Sequence, residues 1–266
     1  MSISRRNLLQ VTAASSALLA GCADGRPSAA ANSGALAPTR APASGTAAAA
    51  SGTAAPAASG VPALPSGLPE QIEHGPRGRP QVALTFHGQG EPAGAVALLT
   101  AAARVDARVT VLAVGSWLDT HPQMARRILD GGHELGNHTQ NHADIGAMDA
   151  AAATAEIEDC AARLHELTGS RGRWFRPSQA RLTTPLVVAL ARKAGYPHLL
   201  SYDVDPLDYT DPGADQVRAA VAAQATAGSV VSLHFGHDGT VAALPGILDD
   251  LHRRGLRAVT TSELLT

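Results

Sequence analysis

Length, composition and charge limit what kind of protein this sequence can encode. The chain has 266 residues, of which 45% are hydrophobic, and its 21 lysine and arginine residues nearly balance its 23 aspartate and glutamate residues. A net charge of -2, without a basic run interleaved with aromatic residues, argues against a nucleic-acid partner. Without its N-terminal low-complexity segment, roughly 190 residues remain, which suits one domain with a single core, and we expect a monomer.

The N-terminus has the features of an export leader. Residues 4–9 carry two arginines followed by leucines, as twin-arginine signals do, and the apolar run at 8–20 is too short to span a bilayer. Residues 19–22, Leu-Ala-Gly-Cys, are typical of a lipobox, whose cysteine receives a lipid. We therefore predict a lipoprotein signal at 1–22, with Cys22 lipidated and anchored to the outer face of the cell membrane. An ordinary secretory signal with a chance cysteine is the alternative.

Residues 23–75 are predicted to be a linker. Between positions 27 and 67 the sequence is almost wholly Ala, Ser, Pro, Gly and Thr, and Arg40 is its only charge. Such a composition buries too little apolar surface to offset the entropy of ordering, so we expect a flexible tether. A helix in the alanine run at 47–50 is the rival prediction, although nearby glycine and proline residues would cut it short.

The domain predicted at residues 76–266 alternates strand-like and helix-like segments. Apolar runs that predict strands fall at 81–86, 109–114, 174–176, 199–204, 229–234 and 257–260, and helix-length segments fall at 93–103, 122–130, 149–167, 185–194, 215–225 and 241–254. This alternation predicts an α/β fold with a parallel sheet covered by helices, and an open doubly wound sheet fits it as well as a barrel does. Since Cys22 is assigned to the lipid, Cys160 is expected to be a small buried side chain without a disulfide.

The segment 132–142 carries the most informative spacing in the domain. Its sequence, Gly-His-Glu-Leu-Gly-Asn-His-Thr-Gln-Asn-His, places His138 and His142 four positions apart behind a glycine-punctuated turn. Residues at that spacing share a face where the backbone is helical or tightly turned, so both rings can offer a nitrogen to one metal ion. An isolated pair is more often a surface pair, and its surroundings must decide between the two interpretations.

Five groups of residues occur in an order that resembles one known family. They are the segment 132–142 with residues 114–118 and 121–122, residues 83–88 (Ala-Leu-Thr-Phe-His-Gly), residues 174–177 (Trp-Phe-Arg-Pro), residues 205–209 (Asp-Pro-Leu-Asp-Tyr) and residues 232–234 (Ser-Leu-His). In their order along the chain, these groups resemble the motifs of the polysaccharide deacetylases, the NodB-homology domains of carbohydrate esterase family 4. The likeness runs over residues 79–265, essentially the whole domain.

The resemblance implies a fold and a reaction. The family fold is a distorted (β/α)7 barrel, and each motif falls at the C-terminal end of a predicted strand, where barrel enzymes build their active sites. The implied reaction is hydrolysis of N-acetyl groups from an extracytoplasmic amino-sugar polysaccharide, peptidoglycan or chitin-like, with a divalent metal, expected to be zinc, on His138 and His142. A de-O-acetylase acting on acylated hemicellulose is a weaker alternative, since a metal-activated water attacks esters as well as amides.

The chain departs from the family at the end of the first motif. The family has two aspartates there, a general base and a metal ligand, whereas this chain has His87 and Gly88. His87 can itself serve as ligand or base, kept neutral by Arg176, because three histidines suit zinc and a nearby cation disfavours an imidazolium. Alternatively, the site is silent and the domain only binds glycan. In the remaining interpretation a carboxylate completes the metal site, the candidates being Glu91, Asp203, Asp205 and Asp238.

The other motifs supply candidates for proton transfer and sugar binding. His234 matches the family's general acid, and Asp205 is the expected partner that favours its charged form. Tyr209 and Trp117 are predicted to offer aromatic walls to a sugar, although burial is the commoner fate of an aromatic such as Trp117. Gln179 lies where the family has a loop with a backbone oxyanion donor, and we expect it to supply that donor.

Overall fold

The computed structural model describes residues 63–266, in which strands and helices alternate along the chain. The strands are β1 (Gln71–Ile72), β2 (Gln81–Gly88), β3 (Thr110–Ala113), β4 (Glu134–Asn137), β5 (Leu199–Leu200), β6 (Val230–His234) and β7 (Arg257–Val259). The α-helices are α1 (Pro92–Ala103), α2 (Gly115–Thr120), α3 (Gln123–Asp130), α4 (Ala150–Thr168), α5 (Pro185–Lys193), α6 (Ala214–Gln224), α7 (Asp238–Arg253) and α8 (Thr261–Leu265). Two 3₁₀ helices, Ile145–Ala147 and Asp208–Thr210, lie in connections. The α/β class predicted from the sequence is confirmed.

Strand β2 is the centre of the parallel sheet. It pairs with β3, β6 and β7, and β3 pairs with β4, while β1 and β5 form a separate two-stranded ladder. Single bridges extend the pairing: Phe175 pairs with Asn137 in β4 and with Leu199 in β5, and Val204 pairs with Val231 in β6. Between β4 and β6 the pairing is reduced to single bridges, so continuous ladders do not close the sheet into a barrel.

Alternation along β2 separates packing side chains from polar ones. Val82, Leu84 and Phe86 belong to the largest hydrophobic cluster, which also contains the buried residues of α1 and α7. Thr85 and His87 lie on the opposite face, as alternate residues of a strand must, and both contact one arginine. Because β2 is buried on both faces, as strands of parallel sheets usually are, this polar face is an interior surface.

Most helices begin and end close to their predicted positions, and the capping residues explain why. Asp149 and Thr184 cap α4 and α5 through their side chains. The strand predicted at 174–176 is reduced to a single bridge, and β4 was not predicted at all. Within β4, a Cβ on Gly136 would lie 2.7 Å from the Trp174 carbonyl oxygen, so close backbone approach requires glycine there and weakens the strand signal.

The globular fold begins before the predicted boundary at residue 76. Strand β1 pairs with β5, and Leu64 and Leu68 pack against the hydrophobic cluster that includes both strands. The boundary prediction is therefore too late, because a two-residue strand leaves no periodic signal in the sequence. The predicted signal with Cys22, and the predicted linker up to residue 62, lie outside the described residues. Between residues 63 and 266 no helix is long and apolar enough to cross a membrane.

Cys160 is fully buried in α4, as predicted. Its thiol donates to the Ala113 carbonyl oxygen at 3.5 Å, and burial raises the pKa of the thiol to about 12. A thiol with so high a pKa carries almost no thiolate at neutral pH, so Cys160 serves packing.

Candidate active site

Four predicted site residues meet at the C-terminal ends of the parallel strands. His87 lies near the end of β2 and pairs in register with His234, the last residue of β6. His138 directly follows β4, and Arg176 follows the bridge at Phe175. Because the carboxyl ends of parallel strands share one edge, four separate segments bring these side chains together.

Three histidines form the candidate metal centre. Nδ1 of His87 lies 2.7 Å from Nε2 of His138, and the ligand atoms of His87, His138 and His142 all lie within 4.8 Å of one another. In the part of the chain that the structure describes, no other group of three or more His, Cys, Asp or Glu side chains has metal-binding spacing.

The carboxylates considered as additional ligands do not belong to this group. Asp203 lies at the opposite end of β6, where it pairs with Arg77 at 2.7 Å and accepts from the Val230 N–H at 2.8 Å. Asp205 accepts from the Leu207 N–H at 3.0 Å. Neither Glu91 nor Asp238 is part of the histidine group. None of the four candidate carboxylates therefore belongs to the histidine group.

His142 reaches the centre through a tight turn, and not on a helix. Thr139 and His142 have left-handed backbones, with φ of 66° and 57°, a costly conformation for such residues. Glu156 of α4 holds the turn, because its carboxylate accepts from both the backbone and the side-chain N–H of Asn141 at 2.8 Å. Asn137 Oδ1 adds a bond from the Thr139 N–H at 2.9 Å. These bonds keep both imidazoles on one side of the loop.

The partners of His138 and His87 determine which ring nitrogens carry hydrogen. Nδ1 of His138 lies 2.9 Å from the Arg176 carbonyl oxygen, which can only accept, so Nδ1 carries the hydrogen and Nε2 the lone pair. Nδ1 of His87 therefore donates to Nε2 of His138. The remaining nitrogen of His87, Nε2, accepts from the Ser232 hydroxyl at 3.0 Å and from Nη1 of Arg176 at 3.2 Å.

All three rings of the centre are neutral at pH 7. Burial is the largest cause that holds the pKa of His87 well below its ordinary value, followed by His138, His234 and Arg176. Burial, and after it His142, lowers the pKa of His138 well below the ordinary value, and burial, then His234, lowers that of His142. Neutral imidazoles carry the lone pairs that zinc binds, so this donor set fits a divalent ion of that type.

Arg176 is a fully buried cation at the floor of the cleft. Its Nε donates to the Leu200 carbonyl oxygen at 2.9 Å, and its Nη2 donates to the Ser201 carbonyl oxygen at 3.0 Å and to Thr85 Oγ1 at 2.9 Å. Burial lowers the pKa of Arg176 to about 10, which leaves the guanidinium charged at neutral pH. Arg176 lowers the pKa of His87, which is the direction expected from the sequence, and burial lowers that pKa more strongly.

His234 pairs with Asp208, and the prediction that Asp205 is its partner is wrong. Nδ1 of His234 lies 2.7 Å from Oδ1 of Asp208, while Oδ2 accepts from the His234 N–H at 2.8 Å and from the Thr240 hydroxyl at 2.6 Å. Leu207 has a left-handed backbone, with φ of 55°, immediately before the 3₁₀ helix that carries the buried Asp208. The sequence offers two carboxylates three positions apart, and only this turn decides which of them faces the histidine.

The two aromatic residues predicted to contact sugar have different environments. Tyr209 is 48% exposed, and its ring meets that of His234 edge-on at 68°, with 5.2 Å between centroids. Trp117 is only 7% exposed, and its indole N–H donates to the Gly90 carbonyl oxygen at 2.7 Å. Trp117 is part of the hydrophobic core, so the prediction that it forms a sugar wall is wrong.

Gln179 is exposed and braces the loop that carries His142. Its side-chain amide donates to the His142 carbonyl oxygen at 2.9 Å. Gln179 itself has a left-handed backbone in this turn, with φ of 56°. The assignment of a backbone oxyanion donor to Gln179 stays a prediction.

Comparisons with known proteins identify the family of this chain. The family model described as polysaccharide deacetylase matches residues 74–199. A peptidoglycan-N-acetylglucosamine deacetylase of Bacillus cereus is 32% identical over 188 residues, which cover 69% of this chain and 87% of that relative. The chain belongs to the polysaccharide deacetylase family.

Two further similar proteins extend the comparison. A chitooligosaccharide deacetylase of Sinorhizobium fredii is 29% identical over 200 residues, covering 67% of this chain and 88% of that protein. The crystal structure of a carbohydrate esterase family 4 pseudoenzyme from Bacillus anthracis has a TM-score of 0.70 at 22% identity, covering 74% of this chain and 69% of the other. The described fold is therefore that of the family.

The end of β2 leaves no room for a side chain at Gly88. A Cβ there would lie 2.9 Å from Val111 Cγ1 and 3.0 Å from Ala113 Cα. Strands β2 and β3 thus pack too closely for a side chain at this position. His87 is therefore the side chain that the end of β2 offers to the centre.

Two polar residues of the site were missed by the sequence analysis. Ser232 precedes His234 by two positions, and residues two apart in a strand share a face, so the alternation could have identified it. Glu156 lies in the middle of a predicted helix, and nothing local distinguishes it from a solvent-exposed glutamate.

Proposed function

We propose that this protein is a divalent metal-dependent deacetylase that removes N-acetyl groups from an extracytoplasmic amino-sugar polysaccharide, peptidoglycan or chitin-like. One observation carries the proposal: three neutral histidines converge within 4.8 Å of one another beside the buried Asp208–His234 pair. The named activities of the relatives on peptidoglycan N-acetylglucosamine and on chitooligosaccharides support this substrate class.

His87, His138 and His142 would hold the ion through their neutral ring nitrogens, and zinc suits such a donor set. When bound, the metal supplies a Lewis acid that polarises the acetyl carbonyl and activates a water. Arg176 keeps a positive charge beneath His87, which disfavours an imidazolium and preserves the lone pairs of the centre.

His234 is the proposed general acid. Asp208 occupies its Nδ1, which leaves Nε2 as the nitrogen that gives a proton to the departing amine. The same carboxylate accepts from the His234 backbone and from Thr240, so ring and backbone are held together in one orientation. Tyr209, half exposed beside this ring, is the proposed platform for a sugar face, and the backbone N–H of Gln179 is the proposed oxyanion donor.

A silent glycan-binding domain is the second candidate. It is favoured by the absence of both first-motif aspartates and by the tight packing at Gly88, which together remove the family's base and one of its ligands. The pseudoenzyme from Bacillus anthracis has the same fold. A de-O-acetylase would use the same centre, and a panel of N- and O-acetylated oligomers separates the two activities.

The decisive experiment measures metal and acetate on the same preparation of the full chain. We expect close to one zinc per chain by elemental analysis and acetate release from N-acetylated glucosamine oligomers that stops with a chelator and returns with zinc. Absence of stoichiometric metal would contradict the enzyme and support the silent alternative. Release from acetylxylan oligomers alone would indicate the esterase.

We also propose that the protein is anchored outside the cytoplasm through a lipid on Cys22, on the strength of the Leu-Ala-Gly-Cys sequence at 19–22. Cys22→Ser should move the protein from the membrane to the soluble fraction, because no acyl chains would be attached. The paired control is Cys160→Ser, which leaves the lipobox intact and should leave the membrane fraction unchanged. Equal membrane partition of wild type and Cys22→Ser would contradict the anchor.

A further inference from the structure

Within residues 63–266, Ser232 is the one residue whose hydroxyl forms a hydrogen bond with His87. It lies in β6, is 1% exposed, and its Oγ is 3.0 Å from Nε2 of His87. The other partner of that nitrogen is Nη1 of Arg176, at 3.2 Å. In the hydrogen-bond network described above, both partners donate to Nε2, and the hydrogen of His87 is on Nδ1.

With its hydrogen on Nδ1, His87 cannot bind a metal ion at the centre. The nitrogen of His87 that faces the centre is Nδ1, which lies 2.7 Å from Nε2 of His138. A neutral imidazole has one hydrogen and one lone pair. If Nδ1 is to offer its lone pair, the hydrogen must be on Nε2, where it would point at the two groups that now donate to this nitrogen.

The two partners differ in their ability to accept that hydrogen. A guanidinium has donors only, so Arg176 can never accept from Nε2–H, and two N–H groups would face each other across 3.2 Å. A hydroxyl both donates and accepts, so Ser232 can reverse its role by rotating its hydrogen about the Cβ–Oγ bond. His87 stays neutral throughout, and only the position of one hydrogen changes.

We propose that Ser232 is a positioning residue that allows His87 to bind the metal, by accepting the Nε2 hydrogen that Arg176 cannot accept. This inference rests on the proposed function, since it concerns the same metal centre. Partners behind a ligating imidazole fix its tautomer, and their removal typically lowers metal affinity about 10- to 100-fold. In this chain the partner matters more because a fixed cation shares the same nitrogen.

Zinc affinity of the full chain, measured by competition with a chromophoric chelator, tests the inference without any substrate. Ser232→Ala should weaken zinc binding about 10- to 100-fold, and Ser232→Thr, which keeps a hydroxyl, should recover most of it. Ser229→Ala is the matched control: it removes another buried serine hydroxyl, at the far end of β6, where Ser229 bonds to Asp203, and it should leave zinc affinity unchanged.

A tautomer readout shows whether Ser232 acts through His87. Long-range ¹H–¹⁵N correlation spectra of wild type, with His87→Ala to identify the signals, should show hydrogen on Nδ1 of His87 without metal and on Nε2 with zinc.

The possible results separate this inference from the proposed function. A wild type that binds no zinc would overturn both. If wild type and Ser232→Ala bind zinc equally, or if His87 keeps its hydrogen on Nδ1 in the zinc-bound protein, the role of Ser232 is refuted while the deacetylase stands. If Ser229→Ala weakens zinc binding as much as Ser232→Ala does, the loss is a general effect of altering β6 and the inference fails.

Discussion

The two sides of the cleft hold histidines by opposite means. On the acidic side, defined as Asp208, His234 and Thr240, a buried carboxylate binds the ring directly. On the neutral side, defined as His87, His138 and His142, no carboxylate belongs to the cluster, and His87 and His138 bond to each other, to a hydroxyl, to a carbonyl and to a guanidinium.

The difference shows how one cleft can give the same residue type two roles. A carboxylate on Nδ1 orients an imidazole and stabilises the charge of its protonated form, which suits a proton carrier. Burial among other imidazoles and a cation favours the neutral form and its lone pair, which suits a metal ligand. The side of the cleft, and not the histidine, therefore determines the chemistry.

Removing a ligand from the neutral side should have the largest effect. We expect His142→Asn to abolish stoichiometric zinc and all acetate release, because two remaining imidazoles do not hold the ion. Asparagine is chosen because it tolerates the positive φ of this position. Elemental analysis and acetate release measure both losses. His252→Asn, an exposed histidine of α7, is the control and should match wild type. Full metal content in His142→Asn would remove this residue from the centre.

A substitution on the acidic side should separate activity from metal. Asp208→Asn places an amide N–H opposite Nδ1 of His234, so the ring must accept there and carry its hydrogen on Nε2 instead. We expect kcat to fall about 10²- to 10⁴-fold, the usual contribution of a positioned acid, with zinc content unchanged. Asp205→Asn should change kcat little, since the amide oxygen can still accept from the Leu207 N–H. A larger loss in Asp205→Asn than in Asp208→Asn would reverse the assignment of the partner.

The positions of helices and strands could be predicted from the sequence better than the partner of His234 or the burial of Trp117, for a physical reason. Helix and strand positions follow from periodicity and caps, which are local, and strand ends then bring His87, His138 and His234 to one edge. The choice between Asp205 and Asp208 depends on a single left-handed residue, and the burial of Trp117 depends on packing against distant segments. Neither leaves a mark in the local sequence.

The neutral side should also make the stability of the metal-free protein depend on pH. The pKa values of His87 and His138 in the folded protein lie well below the ordinary 6.5, so below about pH 6.5 the unfolded chain takes up protons that the folded chain does not. Their stabilising contribution is complete above pH 6.5 and is lost as the pH falls from there towards the folded values, by about 1.4 kcal/mol per pH unit for each ring.

Urea unfolding in the presence of a chelator, at several pH values between 7.5 and 5.5, measures this slope. The variant His87→Gln should show a shallower loss of unfolding free energy on acidification, because one of the two rings is gone. An identical slope in wild type and His87→Gln would mean that His87 takes up a proton as readily in the folded protein as in the unfolded chain.

The smallest effect is expected from placing two aspartates at the end of β2, on the neutral side. In His87→Asp with Gly88→Asp, the new Cβ at position 88 meets Val111 Cγ1 at 2.9 Å and Ala113 Cα at 3.0 Å, so β2 and β3 must move apart. Overpacking of this kind costs about 1–3 kcal/mol of unfolding free energy. Gly78→Asp, with nothing within 4 Å of its Cβ, is the control and should unfold like wild type.

The same double variant tests whether the three histidines are a working metal centre or the remainder of a centre that has lost its carboxylates. If the three histidines are the working centre, the added aspartates should weaken zinc binding, since the first ligand is removed and the second carboxylate can enter only by separating two strands. Val111→Ala in addition should recover part of the stability, because it removes the nearer of the two contacts. A double variant that is as stable as wild type and binds zinc more tightly would show that the strands separate easily, and the neutral side would then be a family site that has lost its carboxylates.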